Sequence, residues 1–201
     1  MKTWLWTAVL AMAAGIASAQ TVPAAAPLRL RATIERIDAT TMTVKERSGE
    51  TVTLQLADKL VVNEVLPIEL SALKQGAFIG TAAMPKPDGT LEALEVLVFP
   101  EAARGTGEGH RPYDLQPGST MTNATVADLA EAPKGRNLKL QYKDGAKTLH
   151  VPEGTPIVTF KPGDRSLLVV GAKLVVTAEV RDGQPTATRV LAGRNGFSPP
   201  L

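Results

Sequence analysis

The chain has 201 residues, no cysteine, and 22 Lys and Arg against 20 Asp and Glu, a net charge of +2 that falls by one without Lys2. The absence of cysteine excludes a disulfide framework and a thiolate metal site. Charges of both signs are interspersed, with no basic block to suit a polyanion.

At the N-terminus, Lys2 precedes an uncharged apolar run from Trp4 to Ile16, and Ala17-Ser18-Ala19 follows as a small-x-small cleavage motif. This is the pattern of an export leader, residues 1–19, cut after Ala19 to leave a short tail, 20–27. The run is shorter than the about twenty residues a spanning helix needs. The expected location is therefore periplasmic or secreted, with no transmembrane segment after cleavage.

Strand signals then follow in quick succession. Leu28, Leu30, Ala32 and Ile34 alternate, and the step to Ile37 slips from period two to three, as at a β-bulge. Met42 to Val44 and 52–56 continue as strands, the latter with Val52, Leu54 and Leu56 on one face and Thr51, Thr53 and Gln55 on the other. A short helical turn is expected over 68–74, closed by Gly76. Strands 77–84 and 91–99 then flank the turn at Pro87-Asp88-Gly89. The second half repeats this order: strands over 124–129, 137–142 and 148–151, a helical slot at 164–170 before Gly171, then strands 172–180 and 186–191.

The halves are copies of one module. Ala32-Thr33-Ile34 answers Ala124-Thr125-Val126, Ser48-Gly49 answers Asp144-Gly145, Gly76-Ala77 answers Gly171-Ala172, and Asp88-Gly89 answers Asp182-Gly183. Three strands, a short helix and two strands is the order of an OB-fold. The expected fold is all-β: two tandem five-stranded OB-like barrels over 28–100 and 123–193, each with a short helix or turn between strands 3 and 4. A linker strap, 101–122, joins them, and 194–201 form a C-terminal tail. An antiparallel meander or sandwich is the alternative for the same strands. Small barrels bury marginal cores, so an interface between the copies is expected.

The mature chain resembles a group of bacterial exported proteins built from OB-like repeats and known only as domains of unknown function. The resemblance rests on Gly76-Ala77-Phe78-Ile79-Gly80, on Phe99-Pro100-Glu101 followed by Arg104-Gly105-Thr106-Gly107-Glu108-Gly109-His110-Arg111-Pro112, and on the stretch from Asp114-Leu115-Gln116-Pro117 to Asn123-Ala124-Thr125-Val126. It implies fold and export and leaves activity open. Some relatives carry labels tying them to metal-transport permeases, which this chain does not support because a permease needs several membrane helices.

The strap is where the repeat breaks. Gly105, Gly107 and Gly109 loosen its first half, and Pro112 and Pro117 stiffen the second. A connection this long packs or binds something. In one reading Tyr113 and Leu115 pin it across the interface while His110 and Arg111 hydrogen-bond to backbone. In the other, His110, Arg111, Tyr113 and Asp114 form a small polar ligand-binding pocket for an anionic or sugar-like molecule.

Other chemistries lack their residues. The glycine run has no Walker lysine and His110 stands where a dinucleotide fingerprint needs glycine. His110 and His150 lie in different copies, so no metal and no cofactor is expected. There is no Gly-x-Ser-x-Gly elbow. The carboxylates Glu35, Asp38, Glu92 and Glu95 fit solvated strand faces. Single-strand nucleic-acid binding needs a basic groove with exposed aromatics, whereas Phe78 and Phe99 fall in core positions. The expectation is a non-enzymatic binding protein for a small ligand or envelope protein. Two alternatives stay open: an assembly module exposing Val61-Val62 or 167–170, and an enzyme of unrecognised type.

Overall fold

The computed structural model describes residues 27–201, so the leader and most of the N-terminal tail lie outside the described residues. In chain order the strands are β1 (Leu28–Ile37), β2 (Thr41–Glu46), β3 (Thr51–Pro67), β4 (Phe78–Pro85), β5 (Leu91–Val98), β6 (Gly109–Pro112), β7 (Thr120–Ala132), β8 (Gly135–Tyr142), β9 (Gly145–Pro152), β10 (Ile157–Pro162), β11 (Lys173–Arg181) and β12 (Gln184–Gly193). Among the described residues no helix is long and apolar enough to cross a membrane.

Alternation builds the first strands as expected. Leu30, Ala32 and Ile34 are buried on β1, and the register against β2 shifts between Ile34 and Arg36, which brings Ile37 opposite Met42. The turn into β2 is closed by Asp38, whose Oδ1 accepts from the Thr40 and Thr41 backbone N–H groups at 2.8 Å. Those bonds, with the Thr41 hydroxyl on Oδ2, hold the Asp38 carboxyl well below the usual carboxylate range.

β3 runs further than its alternation foretells. Val62, Asn63, Glu64 and Val65 are all buried, so both faces are covered and the period-two signal vanishes there. Its 17 residues fall into two halves, because Leu56 lies opposite Ala187 and Val61 opposite Arg189, so β3 takes five steps where β12 takes two and bends there. The chain therefore delivers its next hairpin away from the strands it has just left.

The two halves of β3 serve different partners, β2 on the first and β10 on the second, with β12 along both. β11, β1, β2, β3 and β12 form a closed five-stranded barrel, shut by parallel pairing of β12 with β3 from Thr186 opposite Gln55 to Gly193 opposite Val65. The remaining strands extend the same sheet through β10, β5, β4, β7, β8 and β9, and β5 meets β9 again through Leu91 opposite Leu149 and Glu92 opposite His150. This corrects the tandem expectation, because neither copy closes a barrel from its own strands. Strands β1 to β3 of the first copy are completed by hairpin β11–β12 of the second, and β7 to β9 by hairpin β4–β5 of the first.

The exchange is symmetric to the residue. β1 meets β11 from Leu28 opposite Ala178 to Thr33 opposite Lys173, and β7 meets β4 from Thr120 opposite Ala83 to Thr125 opposite Phe78. Gly171 N–H donates to Ile34 O and Ile34 N–H to Ala172 O, while Gly76 N–H donates to Val126 O and Val126 N–H to Ala77 O. The two copies cross where β3 and β10 pair antiparallel around Val65 and Phe160.

Each circuit has its own core, one around Ile34, Met42, Val44 and Leu54, the other around Val126, Leu138, Leu140 and Leu149. A third cluster fills the junction: Val65, Leu97, Val158, Val175 and Leu201, flanked by Phe99, Phe160, Leu191 and Phe197. The two helical slots are single 3-10 turns, Leu70–Ala72 and Arg165–Leu167, the latter capped by Asp164, whose Oδ1 accepts from Ser166 N–H at 2.7 Å. The strap is shorter in irregular chain than expected, since β6 pairs with β7. Val61-Val62 is no open edge, because both residues pair with β12.

Candidate functional site

Both exchanged hairpins carry a bulge at the same place. The β4–β5 register shifts between Ala82 and Ala83 and skips Leu94, and the β11–β12 register shifts between Thr177 and Ala178 and skips Thr188. One extra residue reverses which face the following side chains take. On β5, Val96 stays in the circuit core while Glu95 and Leu97 turn toward the junction; on β12, Val190 and Ala192 stay inside while Arg189 and Leu191 turn out. Those outward residues meet around a cavity of about 470 Å³ between the two circuits.

Glu95 is the central group. The solvated strand face expected for it is wrong: it is 1% exposed, because its outer face abuts the other circuit instead of water. Its Oε1 accepts from Ala82 N–H at 3.0 Å, and its Oε2 has no partner. Burial raises its carboxyl to about 7, against the opposing pull of that backbone bond and of the Arg29 and Arg31 charges.

Three arginines share the cavity lining with it. Arg29 on β1, Arg111 on β6 and Arg189 on β12 all line the cavity, and none forms an ion pair among the described residues. Arg29 Nε is buried with no hydrogen-bond partner. Asn123 on β7 donates from Nδ2 to Thr106 O at 2.9 Å and leaves Oδ1 unpartnered in the cavity wall. Gly80 permits this crowding, since a Cβ there would lie 2.8 Å from Asn123 Oδ1 and 3.0 Å from Phe99 Cε2. Opposite the polar wall, Phe99 and Phe160 meet edge to face at 6.0 Å, beside Leu97 and Leu191.

The structure separates the four strap residues singled out by sequence. Arg111 faces the cavity from β6, with Nη1 donating to Gly107 O at 2.8 Å. His110, one residue earlier, is directed elsewhere: its Nδ1 lies 2.8 Å from Thr122 Oγ1, and partial burial with the nearby Lys147 lowers its pKa. Tyr113 is wedged between Arg29 and Arg31, whose guanidinium carbons lie 5.4 and 5.3 Å from its ring centre, and its hydroxyl is buried without a partner. Its pKa is raised, first by burial. Asp114 pairs with Arg31 at 2.9 Å, and the hydrogen bond from Arg31 lowers its carboxyl pKa. Tyr113 and Asp114 thus hold the strap to β1 behind the cavity wall.

Arg29, Glu95, Asn123 and Arg189 were not singled out as site residues by sequence. One signal was present, because Glu95 and Arg189 occupy matching positions in the two copies with opposite charge. Elsewhere, Glu64 is clasped by Arg194 at 3.0 Å and by Lys161 at 3.6 Å, and the hydrogen bond from Arg194 lowers its carboxyl pKa. His150 Nδ1 lies 2.9 Å from Asn137 Oδ1. Among the described residues no three His, Asp or Glu side chains come together as a metal site. Comparison with known proteins finds no matching family model, no similar curated protein and no similar solved structure.

Proposed function

We propose that this protein is an exported, non-enzymatic binding protein of the bacterial envelope, and that it holds a small ligand in the cavity between its two strand circuits. One observation carries the reading: three buried polar atoms without partners, Glu95 Oε2, Asn123 Oδ1 and Arg29 Nε, belong to residues lining the same cavity. Buried polar groups are almost always satisfied, and each orphan costs about 1–3 kcal/mol. A ligand that bonds to them offsets that cost. The cavity size falls in the ordinary range for small-molecule sites.

One further feature supports the reading. The circuits read best as two OB-like barrels from a duplicated module that exchanged hairpins, which places the cavity on the seam of the duplication.

A thermal melt against a panel of small acids, sugars, alcohols and amines tests the proposal, run in parallel on Val61→Trp. Val61 lines the cavity and is 46% exposed, so a larger ring there fills space without entering a core. Ligands should raise the melting temperature of the native chain and leave the variant unmoved. Equal shifts in both proteins would place binding elsewhere.

The assembly reading keeps one observation in its favour, since Val169 and Val170 are 56% and 67% exposed before β11. Crosslinking in the periplasm separates the two: a stoichiometric protein partner captured through Val169 favours assembly, and a ligand-bearing monomer favours binding.

A further inference from the structure

The chemistry of the cavity wall narrows the ligand, on the reading that the cavity is a ligand site. Arg29, Arg111 and Arg189 bring three positive charges to it against the single carboxyl of Glu95. With Glu95 held protonated up to about 7 by burial, that carboxyl does little to neutralise them. An anion is therefore favoured and a cation repelled. Guanidinium groups bind carboxylates through paired N–H donors, which supplies both energy and orientation.

The orphan atoms add a second requirement. Asn123 Oδ1 can only accept, so it calls for an N–H or O–H on the ligand. Glu95 Oε2 accepts when ionised and can carry the proton when neutral. A hydroxyl serves both states, because it donates and accepts, whereas an ammonium would be repelled by the three arginines. The rest of the wall is apolar, with Phe99 and Phe160 at 84° to each other and Leu97 and Leu191 alongside. Such a wall takes a flat ring against its faces and edges.

We propose that the cavity binds a small hydroxylated organic acid with an aromatic or alicyclic body. Its carboxylate lies among Arg29, Arg111 and Arg189, its hydroxyl reaches Glu95 Oε2 and Asn123 Oδ1, and its ring lies against Phe99 and Phe160. A single substituted ring fills the about 470 Å³ available with room for ordered water.

Calorimetric titration of the full-length protein with four related probes tests this: para-hydroxyphenylacetate, phenylacetate, para-hydroxybenzyl alcohol and tyramine. The hydroxy acid should bind most tightly, the acid without the hydroxyl more weakly, and the neutral alcohol and the cation at least about tenfold more weakly still, the loss of one charge-assisted contact. Arg189→Gln and Arg111→Gln should each weaken the hydroxy acid about tenfold without lowering the melting temperature. Arg181→Gln, away from the cavity and paired to Glu179, should leave affinity unchanged. If the alcohol or tyramine binds as well as the acid, the proposed class is wrong and the cavity still stands as a ligand site. If the acid binds but ignores both cavity arginines, the class assignment to this cavity fails. If none of the four binds, the proposed class is wrong, and the ligand-site reading stands or falls on the thermal-melt panel with Val61→Trp.

Discussion

Hairpin β4–β5 joins the second circuit through Phe78 to Ala83 against β7, and hairpin β11–β12 joins the first through Lys173 to Ala178 against β1, in matching register. Both bulge after the same turn, both send one leucine to the junction (Leu97 and Leu191), and both are anchored by the same pair of backbone hydrogen bonds at a Gly-Ala step. Their chemistry then diverges. β5 presents Glu95, almost fully buried, where β12 presents Arg189, which is exposed. The frames of the two hairpins are alike, and the difference between them lies on the cavity wall. A site on the seam of a two-fold repeat can be asymmetric only through such differences.

Core truncations should show how alike the frames are. Leu54 and Leu149 are both fully buried at corresponding points of the two circuits. Leu54→Ala and Leu149→Ala should each cost about 2–5 kcal/mol in denaturant unfolding. Because each circuit contains strands of both copies, either variant should unfold in one transition. Two separate transitions, with one copy surviving the loss of the other, would break the exchange.

The Glu95 and Arg189 pair should differ most with pH. Burial raises the Glu95 carboxyl from 4.5 to about 7, so between those values the folded chain holds a proton that the unfolded chain has released. Its contribution to stability is whole below pH 4.5 and lost as the pH rises to about 7, on the order of 3 kcal/mol in total. Glu95→Gln should remove that slope and leave the protein more stable than the native chain at pH 8, by about the same amount. Arg189→Gln should leave the slope in place. Urea melts across this pH range read both outcomes.

Gly80 sharpens the comparison at a third position. The matching residue of β11 is Val175, which packs into the junction core. Gly80→Ala would push a Cβ to within 2.8 Å of Asn123 Oδ1, costing about 1–3 kcal/mol and narrowing the cavity. Val175→Ala should cost a similar amount for the opposite reason, by leaving space. Binding should suffer in the first variant alone. Last comes Asp114→Ala, which removes an ion pair whose acid is 58% exposed. It should cost under about 1 kcal/mol, read as a small change in melting temperature that shrinks further in high salt.

The frame was legible in the sequence because its signals are local. Alternation at Leu30, Ala32 and Ile34, the slip before Ile37, and the paired Gly76-Ala77 and Gly171-Ala172 landmarks each correspond to a feature of the fold. The far half of β3 was not, because a strand covered on both faces loses its period, and β10 is six residues with only Ile157 and Val158 buried, too short to show one. The exchange of hairpins was hidden for a different reason, since a repeated module has the same internal pattern whichever copy it pairs with. Glu95 was misplaced by the rule that a charged residue in an alternating strand faces water. That rule fails when the outer face of one circuit is packed against another. The strap was singled out because the repeat breaks there, and one of its four residues, Arg111, lines the cavity. Tyr113 and Asp114 engage Arg31 behind it, a partnership between distant strands that no spacing in the sequence could indicate.

The most direct test of a ligand cavity built around Glu95 is the ¹³C shift of its side-chain carboxyl followed against pH, with and without para-hydroxyphenylacetate. Half-titration at about 7 is expected in the free protein, with a displaced curve when the probe is present. A Glu95 that titrates in the ordinary carboxylate range and does not respond to the probe would contradict it.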